Sequence, residues 1–227
     1  MTDPDLALNK PPIKVLVVDD DGMVRAGLSM MLGGADDIDV VGEAADGRDA
    51  VRKAESLRPD VVLMDIRMPR LDGLQATRAM LARPRAPRVI VLTTFDADAH
   101  IIEALSAGAE GFLLKDTPPP GIVDAIRRVA DDEPMLSPSV RRAILARLRD
   151  NDTAERAREA QRRLAALTDR EREVAFAVGR GLSNSEIATE FHLSVTTVKG
   201  HVAQLFDKLD VVNRVQVAIC VHDAGKA

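Results

Sequence analysis

The stretch VVLMDIRMPRLDG, residues 61–73, decides how the chain folds. It opens with the uninterrupted apolar run of a parallel strand buried on both faces, and Asp65 arrives at the end of that run. Pro69 bars continuation of the strand, and Asp72-Gly73 marks a turn in which the glycine can take positive φ. A carboxylate at the carboxyl end of a buried strand stands where open α/β sheets bind ligands. The alternative role for such an acid is to cap the next loop or helix.

Working outward, the same kind of run recurs at IKVLVV (13–18), IDVVGE (38–43), RVIVL (88–92) and GFLL (111–114). Helix-period segments fall between and after these runs, over residues 23–32, 48–57, 74–81, 97–107 and 122–130. Five strand–helix pairs with short joints predict a doubly wound α/β domain over residues 13–132. Its sheet has five parallel strands, covered on both faces, with the site at the strand ends. Residues 133–166 hold two prolines and then Arg/Ala/Glu-rich sequence poor in apolar side chains, which predicts a linker, helical in pieces. Residues 167–223 predict an all-α unit of four short helices. Thr168–Glu171 and Ser183–Glu186 have the capping-box form, Gly179 and Gly181 end the first helix, and Ser194 caps the third.

Composition bounds the classes open to the chain. At 227 residues, with 46% apolar and 30% charged side chains, it has the makings of two globular domains. Five Phe and no Trp or Tyr make the core aliphatic. The single cysteine, Cys220, excludes a disulfide framework and fits a reducing, cytoplasmic setting; it reads as a small core residue. The polar, proline-stopped start MTDPDLALNKPP predicts neither signal peptide nor membrane partner. His100, His192, His201 and His222 lack zinc spacing. Charge is uneven: residues 1–133 carry 16 Lys and Arg against 24 Asp and Glu, residues 134–167 carry 8 against 4, and residues 168–227 carry 7 against 8. The acidic front suits a cation and disfavours nucleic acid there.

Two strands end in acids: Asp19, Asp20 and Asp21 after the first, Asp65 after the third. Such a cluster is repulsive when unpaired, and a hard divalent cation such as Mg²⁺ resolves the repulsion. The fourth strand ends at Thr93 and the fifth at Lys115. One rim thus carries a carboxylate nucleophile, a cation site, a hydroxyl and an ammonium, the equipment for placing a phosphoryl group on a carboxylate. Taken singly, Asp21 can be a helix cap, Thr93 a backbone partner and Lys115 a solvated charge.

VVDDD (17–21), MDIRMPRLDG (64–73), VLTTFD (91–96) and GFLLKD (111–116) together resemble the flavodoxin-like receiver domain of bacterial two-component response regulators. The resemblance implies that Asp65 is the phosphoacceptor for a sensor histidine kinase. It implies Mg²⁺ on Asp19, Asp20, Asp65 and the backbone carbonyl of Arg67. It gives Thr93 and Lys115 to the phosphoryl oxygens and makes Phe112 a switch aromatic that turns inward as Thr93 moves. Asp21 stands where many close relatives have His, and Asp116 where the wider family has Pro. Arg67 and Phe95, each two residues beyond a pocket residue, are placed to obstruct attacking water. Phe95→Ala is therefore expected to shorten the phosphorylated half-life, a point that equal dephosphorylation rates would refute.

In the tail, two helices joined at Phe191-His192-Leu193 give a helix-turn-helix pattern. Val198, Val202, Leu205 and Leu209 form an inward stripe, leaving Thr196, Thr197, Lys199, Gly200, Ala203, Gln204 and Lys208 outward, a face suited to phosphates and base edges. LTDREREV, GLSNSEIA and LSVTTVKGHV resemble the LuxR-type DNA-binding domain of the NarL/FixJ family. The resemblance places the helix 195–208 in the major groove of double-stranded DNA and matches Lys199 to a contact lysine. Gly200 and Ala203 replace larger contact residues, which puts more demand on Lys199, Thr196, Thr197 and Gln204. It also implies a homodimer on promoter half-sites, paired through the fourth helix, with RNA polymerase as a further partner; Val215 and Ile219, apolar at i,i+4, serve either as that seam or as core of their own domain. A near-neutral unit gains from such pairing.

The expected function is a transcriptional response regulator rather than an enzyme, its receiver slowly hydrolysing its own aspartyl phosphate. An aspartate-based phosphatase ordinarily has a second carboxylate two residues on, where this chain has Arg67. A phospho-switch whose tail binds protein is the other alternative, and a dinucleotide enzyme is excluded because no GxGxxG follows the first strand.

Overall fold

A computed structural model describes residues 11–93, 103–105, 107–133, 135–136 and 154–225. The N-terminal part alternates β1 (Ile13–Val18), α1 (Gly22–Leu32), β2 (Ile38–Ala44), α2 (Gly47–Leu57), β3 (Val61–Asp65), α3 (Gly73–Leu81), β4 (Arg88–Thr93), β5 (Gly111–Leu114) and α4 (Pro119–Ala130). The expected helix at 97–107 lies partly outside the described residues; 103–105 and 107 are helical. The five strands are all parallel in the order β2-β1-β3-β4-β5. A two-residue strand β6 (Met135–Leu136), within the expected linker, extends the sheet beyond β5. No periodicity can announce two residues between prolines.

The strand runs are continuous in sequence because both faces are covered, and alternate residues serve opposite faces. Leu16, Val18, Val62, Met64, Val89 and Val91 face α2 and α3, together with Phe112. Val15, Val17, Val61, Leu63, Ile90 and Leu92 face Leu32 of α1 and Ile122, Ala125, Ile126 and Val129 of α4. Each fully buried aliphatic side chain is worth about 1.5–3 kcal/mol relative to exposure, so the two faces suffice without Trp or Tyr.

The C-terminal part comprises α5 (Ala154–Ala165), α6 (Asp169–Gly179), α7 (Asn184–Glu190), α8 (Val195–Leu209) and α9 (Arg214–Asp223). Both expected capping boxes form, as Thr168 with Glu171 and Ser183 with Glu186, and Ser194 accepts from the Thr197 amide at 3.0 Å. Val198, Val202, Leu205 and Leu209 are the buried stripe of α8, packed with Val174, Val178, Ile187 and Val221. Ala160 and Leu164 of α5, from the expected linker, join this core. Arg214 is buried, donating to Asn184 Oδ1 at 2.6 Å and to the Leu182 carbonyl; burial lowers its pKa to about 10. Among the described residues, no helix is long and apolar enough to cross a membrane.

The two parts touch. Asn213 donates its side-chain amide to the Leu105 and Ala109 carbonyls at 3.2 and 3.0 Å, and Gln216 donates to Leu105 at 2.8 Å. Val215, 6% exposed, packs into the receiver-side cluster with Ile219 beside it.

Candidate functional site

The strand ends bring the expected acids together. Asp65 is the last residue of β3 and Thr93 the last of β4, while Asp19 follows β1 and Lys115 follows β5. These four, with Asp20, Asp21, Val24, Ile66 and Arg67, line a half-open cavity of about 340 Å³. Lys115 Nζ lies 2.7 Å from Asp19 Oδ2 and 3.1 Å from Asp65 Oδ1, one ammonium between two buried carboxylates. Burial raises the Asp65 pKa, opposed by Lys115. Burial works against the Lys115 charge, but its hydrogen bonds to Asp19 and Asp65 outweigh it and the pKa is raised.

Asp21 caps α1, accepting from the Met23 amide at 2.8 Å, and its own amide donates to Asp19 Oδ1 at 3.0 Å. The bland role for that residue is therefore the observed one. Asp72 likewise caps α3. Gly73 is needed for space rather than for positive φ: a Cβ there would sit 1.9 Å from the Asp65 carbonyl oxygen. The left-handed residue of that turn is Arg70, at φ 70°. Phe112 is fully buried against the β3–β4 core, and Phe95 lies outside the described residues.

The residues present fit a hard cation. Asp19, Asp20 and Asp65 each offer an oxygen within 4.8 Å of the others. Asp19 Oδ2 is buried and, beyond its ion pair with Lys115, accepts no well-directed hydrogen bond. An all-oxygen set of this size, open to water on one side, suits Mg²⁺.

On α8, Thr196, Thr197, Gly200 and Gln204 are exposed, and Thr197 shares a hydroxyl contact with Ser194 at 2.8 Å. Lys199 is half-buried, its Nζ 2.9 Å from Asp132 Oδ2 in the receiver part. Asp132 also accepts from Arg88, which lies 3.9 Å from Glu110. Lys208, outward by pattern, is tied to Glu171 at 2.7 Å, and this bond is the chief reason Glu171 falls to about 2. No local signal marks Asp132 or the receiver contacts of Asn213 and Gln216. Their partners are 67 to 111 residues away.

A doubly wound sheet with a lysine-bridged acid pocket, joined to a capped helix-turn-helix unit, defines a phosphoryl-responsive DNA-binding protein. Residues 15–127 match the response regulator receiver domain, and residues 165–221 match the luxR family of bacterial regulatory proteins. The chain is 40% identical to the transcriptional regulatory protein LiaR of Bacillus subtilis over 92% of its own length and 97% of that protein's. It is 39% identical to the response regulator protein VraR of Staphylococcus aureus, over 91% and 95%. Among solved structures, it resembles the response regulator ChrA of a heme-sensing two-component system at 36% identity and TM-score 0.53, over 96% and 100% of the two chains. RcsB of Salmonella typhimurium, at 22% identity and TM-score 0.54, shares the fold.

The chain belongs to the two-component response regulators that join a receiver to a LuxR-type DNA-binding domain. The family regulates transcription and is not a family of enzymes. A protein-binding role for the tail finds no support in these matches.

Proposed function

We propose that Asp65 is the phosphoacceptor and that its modification governs DNA binding by α8. The observation carrying this reading is the Lys115 ammonium shared between Asp19 and Asp65 at the carboxyl ends of neighbouring strands. Asp65 attacks phosphorus of a phosphohistidine on a sensor kinase; a P–O bond forms as the P–N bond breaks, and the imidazole takes a proton. Asp19, Asp20, Asp65 and the Arg67 carbonyl would hold Mg²⁺, which supplies charge neutralisation when bound. Thr93 and Lys115 then receive phosphoryl oxygens, and Phe112 follows Thr93.

The receiver occupies residues 13–132 and the DNA-binding unit 167–223, with α5 packed onto the latter as its lead-in. Thr196, Thr197, Lys199, Gly200 and Gln204 form the DNA face. Two copies bind adjacent half-sites in the cytoplasm, where RNA polymerase is a further partner. The arrangement described here is the resting one, because Lys199 is engaged by Asp132 and the α9 seam of Val215 and Ile219 faces the receiver.

The test is intact mass after acetyl phosphate and Mg²⁺, followed by footprinting on genomic DNA. Wild type should gain about 80 Da, one phosphoryl group, and protect half-sites. Asp65→Asn should do neither; a gain that survives this substitution would sink the assignment.

A further inference from the structure

Asp19 is held at every polar atom. Its amide donates to the Ala44 carbonyl at 3.2 Å, its Oδ1 accepts from the Asp21 amide at 3.0 Å, and its Oδ2 lies 2.7 Å from Lys115 Nζ. The residue is buried and stands just past the end of β1, so its carbonyl needs a donor from outside the ladder. Arg25 of α1 supplies one, its Nη1 2.8 Å from that oxygen. Helical side chains lean toward the helix N-terminus, and Arg25 reaches back over the first turn in this way. Its guanidinium lies over Gly22, with Nη2 3.5 Å from where a Cβ would stand.

The arginine is itself held. Glu43 pairs with Val17 in the parallel register of β2 and β1, so its side chain leaves the sheet on the α1 side. Its carboxylate lies 3.4 Å from Arg25 Nε and accepts from the Ser29 hydroxyl at 2.6 Å. A planar guanidinium serves two acceptors in fixed directions, which a single ammonium on a flexible stem does not. Ser29, Glu43 and Arg25 thus tie α1 and the edge strand β2 to one of the acids of the pocket.

We propose that Arg25 is a positioning residue for the pocket: braced by Glu43 and Ser29, it fixes the turn after β1 so that Asp19 and Asp20 present their carboxylates to the divalent cation. This role rests on the phosphoacceptor reading above and belongs to a residue outside the lining of the cavity. Charge and position pull in opposite directions. A guanidinium near a cation site repels the ion, so removing an arginine that acted through its charge would tighten cation binding. Removing one that holds the turn loosens the ligand set and weakens binding, as loss of an outer-shell partner does in metal sites generally.

Mn²⁺ titration of the full chain, read as free ion by electron paramagnetic resonance, tests the proposal without any phosphoryl donor. Arg25→Gln should weaken Mn²⁺ binding about tenfold and Glu43→Gln about threefold. The double variant should be no weaker than Arg25→Gln alone, because Glu43 acts through Arg25. Phosphoryl uptake from acetyl phosphate, followed by intact mass over a Mg²⁺ series, should show the same shift in half-saturating Mg²⁺, with a limiting rate within about twofold of wild type. Circular dichroism verifies the fold. Should Arg25→Gln fail to fold, Arg25→Lys, which keeps the charge and the stem but not the fork, takes its place and should weaken binding about threefold. Unchanged or tighter Mn²⁺ binding by a folded Arg25 variant overturns the proposal, as does a double variant whose loss is the product of the single losses, or wild type that binds no Mn²⁺. Uptake that survives Asp65→Asn counts against the phosphoacceptor instead, and Mn²⁺ binding decides Arg25 in either case.

Discussion

Two lysines of this chain meet aspartates at nearly the same distance and in different circumstances. Lys115 sits 2.7 and 3.1 Å from two acids inside one domain, whereas Lys199 sits 2.9 Å from Asp132 across the junction of two. The pocket is made by neighbouring strand ends whose side chains have little freedom to leave. Among the described residues, the junction is made by one ion pair, three side-chain amide bonds and the packing of Val215 and Ile219. A charge pair enclosed by its own core is a structural commitment; a pair between partly exposed surfaces is worth about 1 kcal/mol or less and can be exchanged for another partner.

Removing Lys115 probes the first kind and should have the largest effect. Lys115→Met leaves buried Asp19 and Asp65 facing each other, and thermal melts in chelator should show a loss of about 3 kcal/mol. Millimolar Mg²⁺ should recover part of it, since a ligand of the native state alone stabilises that state. A melt insensitive to both changes would break the contrast. Gly73→Ala comes next. Its Cβ would overlap the Asp65 carbonyl oxygen, and the backbone shift should cost about 2 kcal/mol in denaturant titration and disturb phosphoryl uptake.

Asp132→Gly sharpens the comparison from the other side. Asp132 has φ 65°, a conformation glycine adopts freely, so the backbone tolerates the change while the pairs to Lys199 and, within the receiver, to Arg88 are lost. The unphosphorylated chain should then bind operator DNA about two- to fivefold more tightly in a gel shift, the range expected for one partly exposed pair. Lys199→Ala should abolish binding instead, because the same ammonium belongs to the proposed DNA face.

The smallest effect lies within the tail. Lys208 and the Thr168 amide hold Glu171 near 2, below its unfolded value of 4.5. A depressed carboxylate pKa stabilises the fold above the unfolded value, and that contribution is lost as pH falls from about 4.5 toward 2. Glu171→Gln should cost about 1 kcal/mol at pH 7 and flatten this acid limb in melts taken between pH 5 and pH 2.

The same contrast explains what the sequence disclosed. Asp19, Asp65, Thr93 and Lys115 could be gathered in advance because each ends or directly follows a strand, and parallel order does the rest. Capping boxes and the α8 stripe are equally local. Strand β6 is too short to have a period, and Asp132 lies in a joint where nothing local distinguishes it from Asp131. The reason for Gly73 was misassigned from its dipeptide, since close approach to the Asp65 carbonyl is a fact of packing.

One ammonium with two claimants has a consequence for how the receiver can register a signal. On the proposed chemistry, a phosphoryl oxygen on Asp65 arrives as a third claimant, and whatever it takes from Lys115 is taken from Asp19, whose Oδ2 has no directed donor beyond its ion pair with that lysine. The end of β1 and the start of α1 would then feel an event on β3 through a change of allegiance in the side chain that follows β5, before any strand has moved.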